Sequence, residues 1–242
     1  MIRAEDRTTF AARGVLALRG ALSPHDLVEE VERALHDGAF APLSFTSGQS
    51  GHYVPMLCDR TPVSVALVDR FSVVAAALLG REVLPVRAKA VAYAGETGWH
   101  VDSDGPPQSV GFLAYLSPLD AASGALRVRP GSHRDPALFE SEAIDTTPGD
   151  VVVLDERTAH ASFGGRDRLQ WRIDYVIDPA PHEVEAVRAY YAATLPPRAH
   201  PPYDASRYPS YGASWIASHR PWIATMRRLG VFEIAAAHEA EE

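Results

Sequence analysis

Residues 148–177 read PGDVVVLDERTAHASFGGRDRLQWRIDYVI. Three extended segments fit into this stretch, at 150–154, 159–163 and 168–177, because β-branched and apolar residues are broken by turn chemistry twice. Pro148-Gly149-Asp150 opens the first and Gly164-Gly165-Arg166-Asp167 precedes the third. Three short strands in succession point to a folded-back antiparallel sheet and away from a helical or parallel architecture.

Working outward, the same period of two continues upstream. Further strands are expected at about 82–94, 98–102, 109–116 and 125–129, separated by Gly105-Pro106-Pro107, Ser123-Gly124 and Pro130-Gly131. Before them, Gly14 to Arg19 predicts a short strand, and Ser23-Pro24 opens a helix carrying Leu27, Val31 and Leu35 at four-residue spacing. Residues 38–60 lack periodicity and read as a loop. Thr61-Pro62 starts a second helix through Val65, Val68, Phe71 and Leu78 that stops at Gly80. Helical pattern returns at Glu183 to Thr194 and at Trp215 to Leu229, with a Pro- and Tyr-rich loop, Pro196 to Tyr211, between them. No period of 20 to 50 residues repeats. The expectation is one domain, mainly β with flanking helices: a helical part at about 1–81, a jelly-roll core at about 82–178 and a helical part at about 179–242.

Composition narrows the function classes. The 242 residues are 46% apolar and 22% charged, which suits a soluble globular chain. There are 23 basic and 31 acidic residues and no basic run, so neither nucleic acid nor an anionic membrane is an expected partner. The longest apolar stretch read from the sequence, Val73 to Leu79, is too short to span a bilayer, and the N-terminus lacks the apolar core of a signal peptide. A lone cysteine, Cys58, has no second Cys for a disulfide or a zinc site and fits a cytoplasmic protein, monomer or homodimer. Of the basic residues 22 are Arg, and only Lys89 is Lys. Where Arg has replaced Lys so widely, a surviving Lys invites a chemical reason.

The chemistry gathers on the predicted strands. In Trp99-His100-Val101-Asp102, residues two apart share a strand face, so His100 and Asp102 present an imidazole and a carboxylate together. A second histidine from a neighbouring strand completes a facial set of three ligands with open positions, as non-haem Fe(II) uses. His160, just beyond the strand at 150–154, is the histidine in the right setting. Twelve residues later Arg172 stands among apolar neighbours, where a guanidinium requires an anion. Arg172 is therefore the candidate to grip the far carboxylate of a dicarboxylic co-substrate, with Ser162 adding a hydroxyl. Arg168, at the strand start, and Arg166, in the turn, are its rivals.

Taken in order, W-H-V-D at 99–102, G-A-L-R-V-R-P-G-S-H at 124–133, P-G-D-V-V-V-L at 148–154, H-A-S at 160–162 and R-x-D-Y at 172–175 resemble the phytanoyl-CoA dioxygenase family of Fe(II)/2-oxoglutarate oxygenases. The blocks cover roughly residues 82–178. The resemblance implies a double-stranded β-helix of the cupin-like class, with His100, Asp102 and His160 binding Fe(II). It further implies that Arg172 and Ser162 hold the C5 carboxylate of 2-oxoglutarate, and that O2 is the second co-substrate. The family often carries a basic residue about eleven positions before the metal histidine; Lys89 falls there, as a contact to 2-oxoglutarate or to the substrate. Family halogenases replace the carboxylate ligand with a small residue, so Asp102 argues against halogenation. The implied activity is oxidation of an unactivated C–H bond of a small molecule, by hydroxylation or oxidative cyclisation, with release of succinate and CO2. A natural-product intermediate is the expected substrate.

Candidate lids are the loops Phe40 to Arg60, with Phe45, His52 and Tyr53, and Pro196 to Tyr211, with Tyr203, Arg207 and Tyr208. Tyr53, Tyr203 and His133 are the substrate-contact candidates. Two other readings stay open at this level: a non-catalytic jelly-roll module binding a small carboxylate or sugar, and a cupin-like enzyme using another metal without 2-oxoglutarate.

Overall fold

Ten strands, all paired antiparallel, make two sheets in the computed structural model, which describes residues 2–38, 52–164, 167–195 and 203–240. The elements are α1 (Ala4–Arg13), β1 (Val15–Leu18), α2 (Pro24–Gly38), β2 (His52–Pro55), α3 (Pro62–Leu79), β3 (Val83–Tyr93), β4 (Thr97–His100), β5 (Ser109–Tyr115), β6 (Leu126–Val128), β7 (Glu142–Ile144), β8 (Val151–Asp155), β9 (His160–Ser162) and β10 (Arg168–Ile177), followed by a 3-10 turn (Pro181–Glu183), α4 (Val184–Thr194), α5 (Ala213–Ile216), α6 (Ile223–Arg228) and α7 (Val231–Glu239). The larger sheet runs β1-β8-β5-β10-β3-β2 and the smaller runs β4-β9-β6-β7.

Strand alternation divides the interior into two cores. On β5 and β8, Val110, Phe112, Ala114, Val151 and Val153 pack toward the helices, while Leu113, Tyr115, Val152 and Leu154 turn inward to meet Leu126 and Val128 of β6 and Ile144 of β7. The helix-side core is aromatic. Phe71 of α3 lies 5.2 Å from Phe112 and 6.1 Å from Trp171, ring centre to ring centre, and Phe112 meets Tyr175 edge-on at 5.5 Å. Both aromatic tips on β10 find partners on α3: Trp171 Nε1 donates to Ser64 Oγ (2.8 Å) and Tyr175 donates to the Val68 carbonyl (2.6 Å).

Helix α3 is apolar along 18 residues, with a mean hydropathy of 1.7, and so extends well beyond the seven-residue stretch singled out in the sequence. Its face Ser64, Leu67, Val68, Phe71, Ser72, Ala75 and Leu79 is buried, which makes it a core helix. The first turn is held by a side chain from α2. Glu30, 1% exposed, accepts from the backbone N–H groups of Val63 (2.9 Å) and Ser64 (2.7 Å), two donors that the helix cannot satisfy itself. Gly80 ends the helix at φ 68°, in the left-handed region that favours glycine.

Three elements depart from the sequence expectation. Helix α1 is unannounced; β7 is only three residues long, too short to display alternation; and β2 lies inside the expected loop 38–60, where it adds an edge strand to β3. The single helix expected over Trp215 to Leu229 is two, α5 and α6, interrupted before Pro221, which has no N–H to donate. Of the proposed lids, Phe45 and residues 196–202 lie outside the described residues, as does Arg166.

Candidate metal and co-substrate site

The inner face of β10 explains why an arginine stands among apolar residues. Trp171, Ile173 and Tyr175 face the helices, so Arg168, Gln170, Arg172 and Asp174 face the other way, against the smaller sheet. Arg168, Gln170 and Arg172, together with residues of β3 and β9, line a cavity of about 360 Å³, whose walls also include Tyr53, His100, Asp102 and His160, while Asp174 stands behind Arg172.

The smaller sheet brings the two histidines together. His100 on β4 is in register with His160 on β9, and the rings lie 4.2 Å apart. Strand β4 ends at His100, so Asp102 is not on the strand proper; its N–H instead bonds to the Glu156 carbonyl (2.9 Å), which turns the side chain back to the histidines. Asp102 Oδ1 is 3.7 Å from His100 Nε2, and Oδ2 is 3.5 Å from His160 Nε2. One donor atom from each residue lies within 4.8 Å of the others. Each Nδ1 is already engaged, His100 with the Gly98 carbonyl (2.8 Å) and His160 with the Thr158 carbonyl (2.9 Å). A carbonyl accepts only from an N–H, so the Nδ1 proton is fixed there and both Nε2 lone pairs face Asp102, the second-sphere arrangement of metal-binding histidines. Burial lowers the His160 pKa, against the pull of Asp102, and favours the neutral imidazole that a metal needs. The site is entered from the His100 side, where the side chain is 38% exposed against 5% for His160.

Arg172 is placed next to this triad and is fully engaged by carboxylates. Its Nη2 reaches Asp102 Oδ2 (2.9 Å) and Glu156 Oε1 (2.9 Å), and its Nε reaches Asp174 Oδ1 (2.5 Å). Gly111 on the adjacent strand leaves the room: a Cβ there would lie 3.1 Å from both the Arg172 guanidinium and the Asp174 carboxylate. Burial raises the Asp102 carboxyl, but Arg172, both histidines and Lys89 outweigh it and hold the group well below the usual range. Behind Arg172, Glu156 accepts from Ser109 (2.7 Å) and from Tyr190. Burial and the nearby Asp174 and Asp102 push its carboxyl up to about 7 despite Arg172.

Ser162 does not meet Arg172. It meets Arg168, whose Nη1 donates to Ser162 Oγ and to the Gly124 carbonyl (3.0 Å) and whose Nη2 donates to the Gly95 carbonyl (3.2 Å). Arg168 is 3% exposed and its Nε has no hydrogen-bond partner; among the described residues no carboxylate lies within 4.0 Å of it. The residue in need of an anion is therefore Arg168, four positions along β10 from Arg172. The sequence ranked the two in the opposite order because it showed no partner for either, and the acids that neutralise Arg172 come from β10 itself, from the turn after β8 and from beyond β4.

The remaining candidates separate. Lys89 lines the cavity opposite Arg172 in the β3–β10 register, 8% exposed, with Nζ 5.5 Å from the centre of the Tyr53 ring. Burial first, then Arg87 and Arg172, push its pKa well below the ordinary lysine value. Tyr53 lines the cavity and packs against Tyr203, with ring centres 6.0 Å apart, but Tyr203 itself is buried outside the lining. His133 is not in the cavity. Its Nε2 lies 3.2 Å from the Ala11 carbonyl, and its ring lies over Gly14 beside Thr158, so it packs α1 and the start of β1 onto the barrel. Asp174, Glu156 and Arg87 belong to the site and were missed; strand parity with Arg172 was the available signal for Asp174.

No family model matches the chain, and no curated protein matches it. Solved structures do. The chain is similar to the non-haem α-ketoglutarate-dependent epimerase SnoN from nogalamycin biosynthesis, at 17% identity and a TM-score of 0.62, covering 72% of this chain and 80% of that one. It is similar to HygX from Streptomyces hygroscopicus, solved with nickel and 2-oxoglutarate bound, at 17% identity and a TM-score of 0.61, covering 73% and 88%. A third similar structure is EctD from S. alaskensis, solved with 2-oxoglutarate and 5-hydroxyectoine, at 22% identity and a TM-score of 0.59, covering 73% and 76%. The chain shares the jelly-roll fold of these proteins, with a six-stranded sheet backed by helices and the His100, Asp102 and His160 cluster inside.

Proposed function

We propose that the protein is a non-haem Fe(II)/2-oxoglutarate-dependent oxygenase of the phytanoyl-CoA dioxygenase type, acting on a small molecule. The observation that carries the reading is a pairing within one cavity. Three ligand-competent side chains cluster at the smaller sheet, two from its strands and Asp102 from just beyond β4, and a buried arginine without an acidic partner among the described residues faces them from β10. A metal with a chelating dicarboxylate satisfies both.

His100, Asp102 and His160 would hold Fe(II). The two imidazoles are fixed in the tautomer that exposes Nε2, and Asp102 can accept from Arg172 and still offer a lone pair, since a carboxylate has about four acceptor sites. Arg168 and Ser162, in place of Arg172 and Ser162, would receive the C5 carboxylate of 2-oxoglutarate, with the unpartnered Nε supplying a second prong. Arg172 serves as a positioning residue that aims Asp102 and balances Glu156 and Asp174. When bound, the iron chelate supplies O2 activation with oxidative decarboxylation of 2-oxoglutarate to succinate and CO2, coupled to oxidation of a substrate C–H bond. The buried side chains of His160, Arg168 and Arg172 wall that centre on one side, and the exposed His100 side admits the substrate. A natural-product intermediate is the substrate class we favour, supported by the likeness to SnoN and HygX. The test is 2-oxoglutarate-dependent succinate release by the Fe(II)-loaded protein under air, which substrate-free oxygenases sustain slowly. Succinate formation that requires iron and vanishes in Asp102→Ala supports the reading; 2-oxoglutarate that binds without ever turning over, with any substrate tried, supports a binding module instead.

A further inference from the structure

The cavity holds one cation more than its carboxylates can neutralise. Arg87, Lys89, Arg168 and Arg172 line it, with Asp102 as the one acidic residue of the described lining; Glu156 and Asp174 stand behind Arg172. That is four basic groups against three carboxylates, and Fe(II) with a 2-oxoglutarate dianion would leave the difference unchanged. The surplus can be located. Arg87 bonds to Asp174 (2.8 Å) and to the Thr194 carbonyl, Arg172 serves three carboxylates, and Arg168 has Ser162 and two carbonyls. Lys89 has no hydrogen bond or ion pair among the described residues, and the face of Tyr53 is what it meets.

Its position also separates it from the Arg168 end. Lys89 pairs with Arg172, and Arg168 pairs with Tyr93, four residues further along the same two strands, or about 13 Å at 3.3 Å per residue. Lys89 thus stands at the Tyr53 and Thr194 end of the cavity, next to the triad on the side away from Ser162. A buried ammonium is a compact charge that gains most from an oxyanion brought into the same dry space.

We propose that the primary substrate is an organic anion and that Lys89 receives its carboxylate or phosphate group, which places a neighbouring C–H at the metal. This rests on the oxygenase reading above, with Arg168 rather than Lys89 as the seat of 2-oxoglutarate. Loss of its desolvated, unpaired state on anion binding also accounts for why a lysine, whose charge burial can suppress, stands here among so many arginines.

Lys89 is the only lysine in the chain, so protein grown with 13C-lysine gives a single side-chain Cε signal to follow by NMR. The metal-loaded protein is first saturated with 2-oxoglutarate under anaerobic conditions, with chelate absorption recorded on the same sample, and then titrated with propionate, methyl phosphate or uncharged propionamide. The expected result is a saturable shift of the Lys89 signal with propionate or methyl phosphate, at least tenfold tighter than any response to propionamide; which anion is tighter identifies the group. Lys89→Met should abolish the heat of anion binding measured by calorimetry. A Lys89 signal that stops responding to anions once 2-oxoglutarate is bound overturns the proposal and makes Lys89 a co-substrate ligand. A signal indifferent to every anion overturns it as well. If the chelate absorption is missing while the anions still shift Lys89, the oxygenase reading fails and the anion site stands.

Discussion

Replacing Arg168 and Arg172 in turn should have opposite consequences, although the two residues are four apart on one strand and both fully buried. Arg168 contacts Ser162 and two carbonyls and lacks a carboxylate among the described residues, so Arg168→Gln removes a charge that nothing acidic depends on. A hydrogen bond to a charged group contributes about 1.5–3 kcal/mol. Loss of that contact should weaken 2-oxoglutarate binding about 10- to 150-fold at 1.4 kcal/mol per decade, with little change in melting temperature. Arg168→Lys should recover only part of it, since the fork is lost. Arg172→Met leaves the buried carboxylates of Glu156 and Asp174, and the more open one of Asp102, around an apolar side chain. Breaking a buried pair costs about 3–5 kcal/mol, or a fall of about 6–20 °C in Tm at 2–4 °C per kcal/mol for a chain of this size. Calorimetric titration of the Ni(II)-loaded proteins with 2-oxoglutarate, beside thermal unfolding, reads both quantities. An Arg172 variant that melts normally and no longer binds 2-oxoglutarate, with Arg168→Gln binding as the wild type does, would refute the assignment.

Ser162→Ala should weaken 2-oxoglutarate about 2- to 12-fold by the same titration, the worth of one hydrogen bond of about 0.5–1.5 kcal/mol. Divalent metal at a hundred times its Kd should stabilise the wild type by about 2.7 kcal/mol, or roughly 5–10 °C in Tm, and Asp102→Ala should show no such rise in a thermal scan. Glu156, with its carboxyl raised from 4.5 to about 7, binds more protons folded than unfolded between those values. Its contribution is therefore present in full below about pH 4.5 and is lost as pH rises through about 7, a change of about 3 kcal/mol; urea unfolding of metal-free Glu156→Gln should lack that decline, and an identical pH profile would contradict it. Glu30→Ala strands the Val63 and Ser64 donors and should cost about 1–3 kcal/mol, or about 2–12 °C, in differential scanning calorimetry.

What the sequence disclosed follows from where the information is stored. Strands β3, β5, β8 and β10 were legible because runs of apolar and β-branched residues bounded by turn signals need no partner to be recognised. Strands β2 and β7 were not, because each exists by pairing with a neighbour, β3 and β6, and carries too few residues to alternate visibly. The triad was legible for a related reason: His100 and Asp102 are two apart, and His160 closely follows a recognisable strand. The role of Arg172 was not, because neutralisation depends on three carboxylates that the chain brings together from residues 102, 156 and 174. The same holds for His133, whose partners Ala11 and Gly14 lie more than a hundred residues away.

The measurement that bears most directly on the account is an anaerobic titration of the metal-free protein with Fe(II) and then 2-oxoglutarate, followed by visible absorption. The account predicts a metal-to-ligand charge-transfer band that saturates with both components, is lost in Asp102→Ala and is displaced to much higher 2-oxoglutarate concentration in Arg168→Gln. A folded wild-type protein that binds iron and develops no band at any 2-oxoglutarate concentration would contradict it.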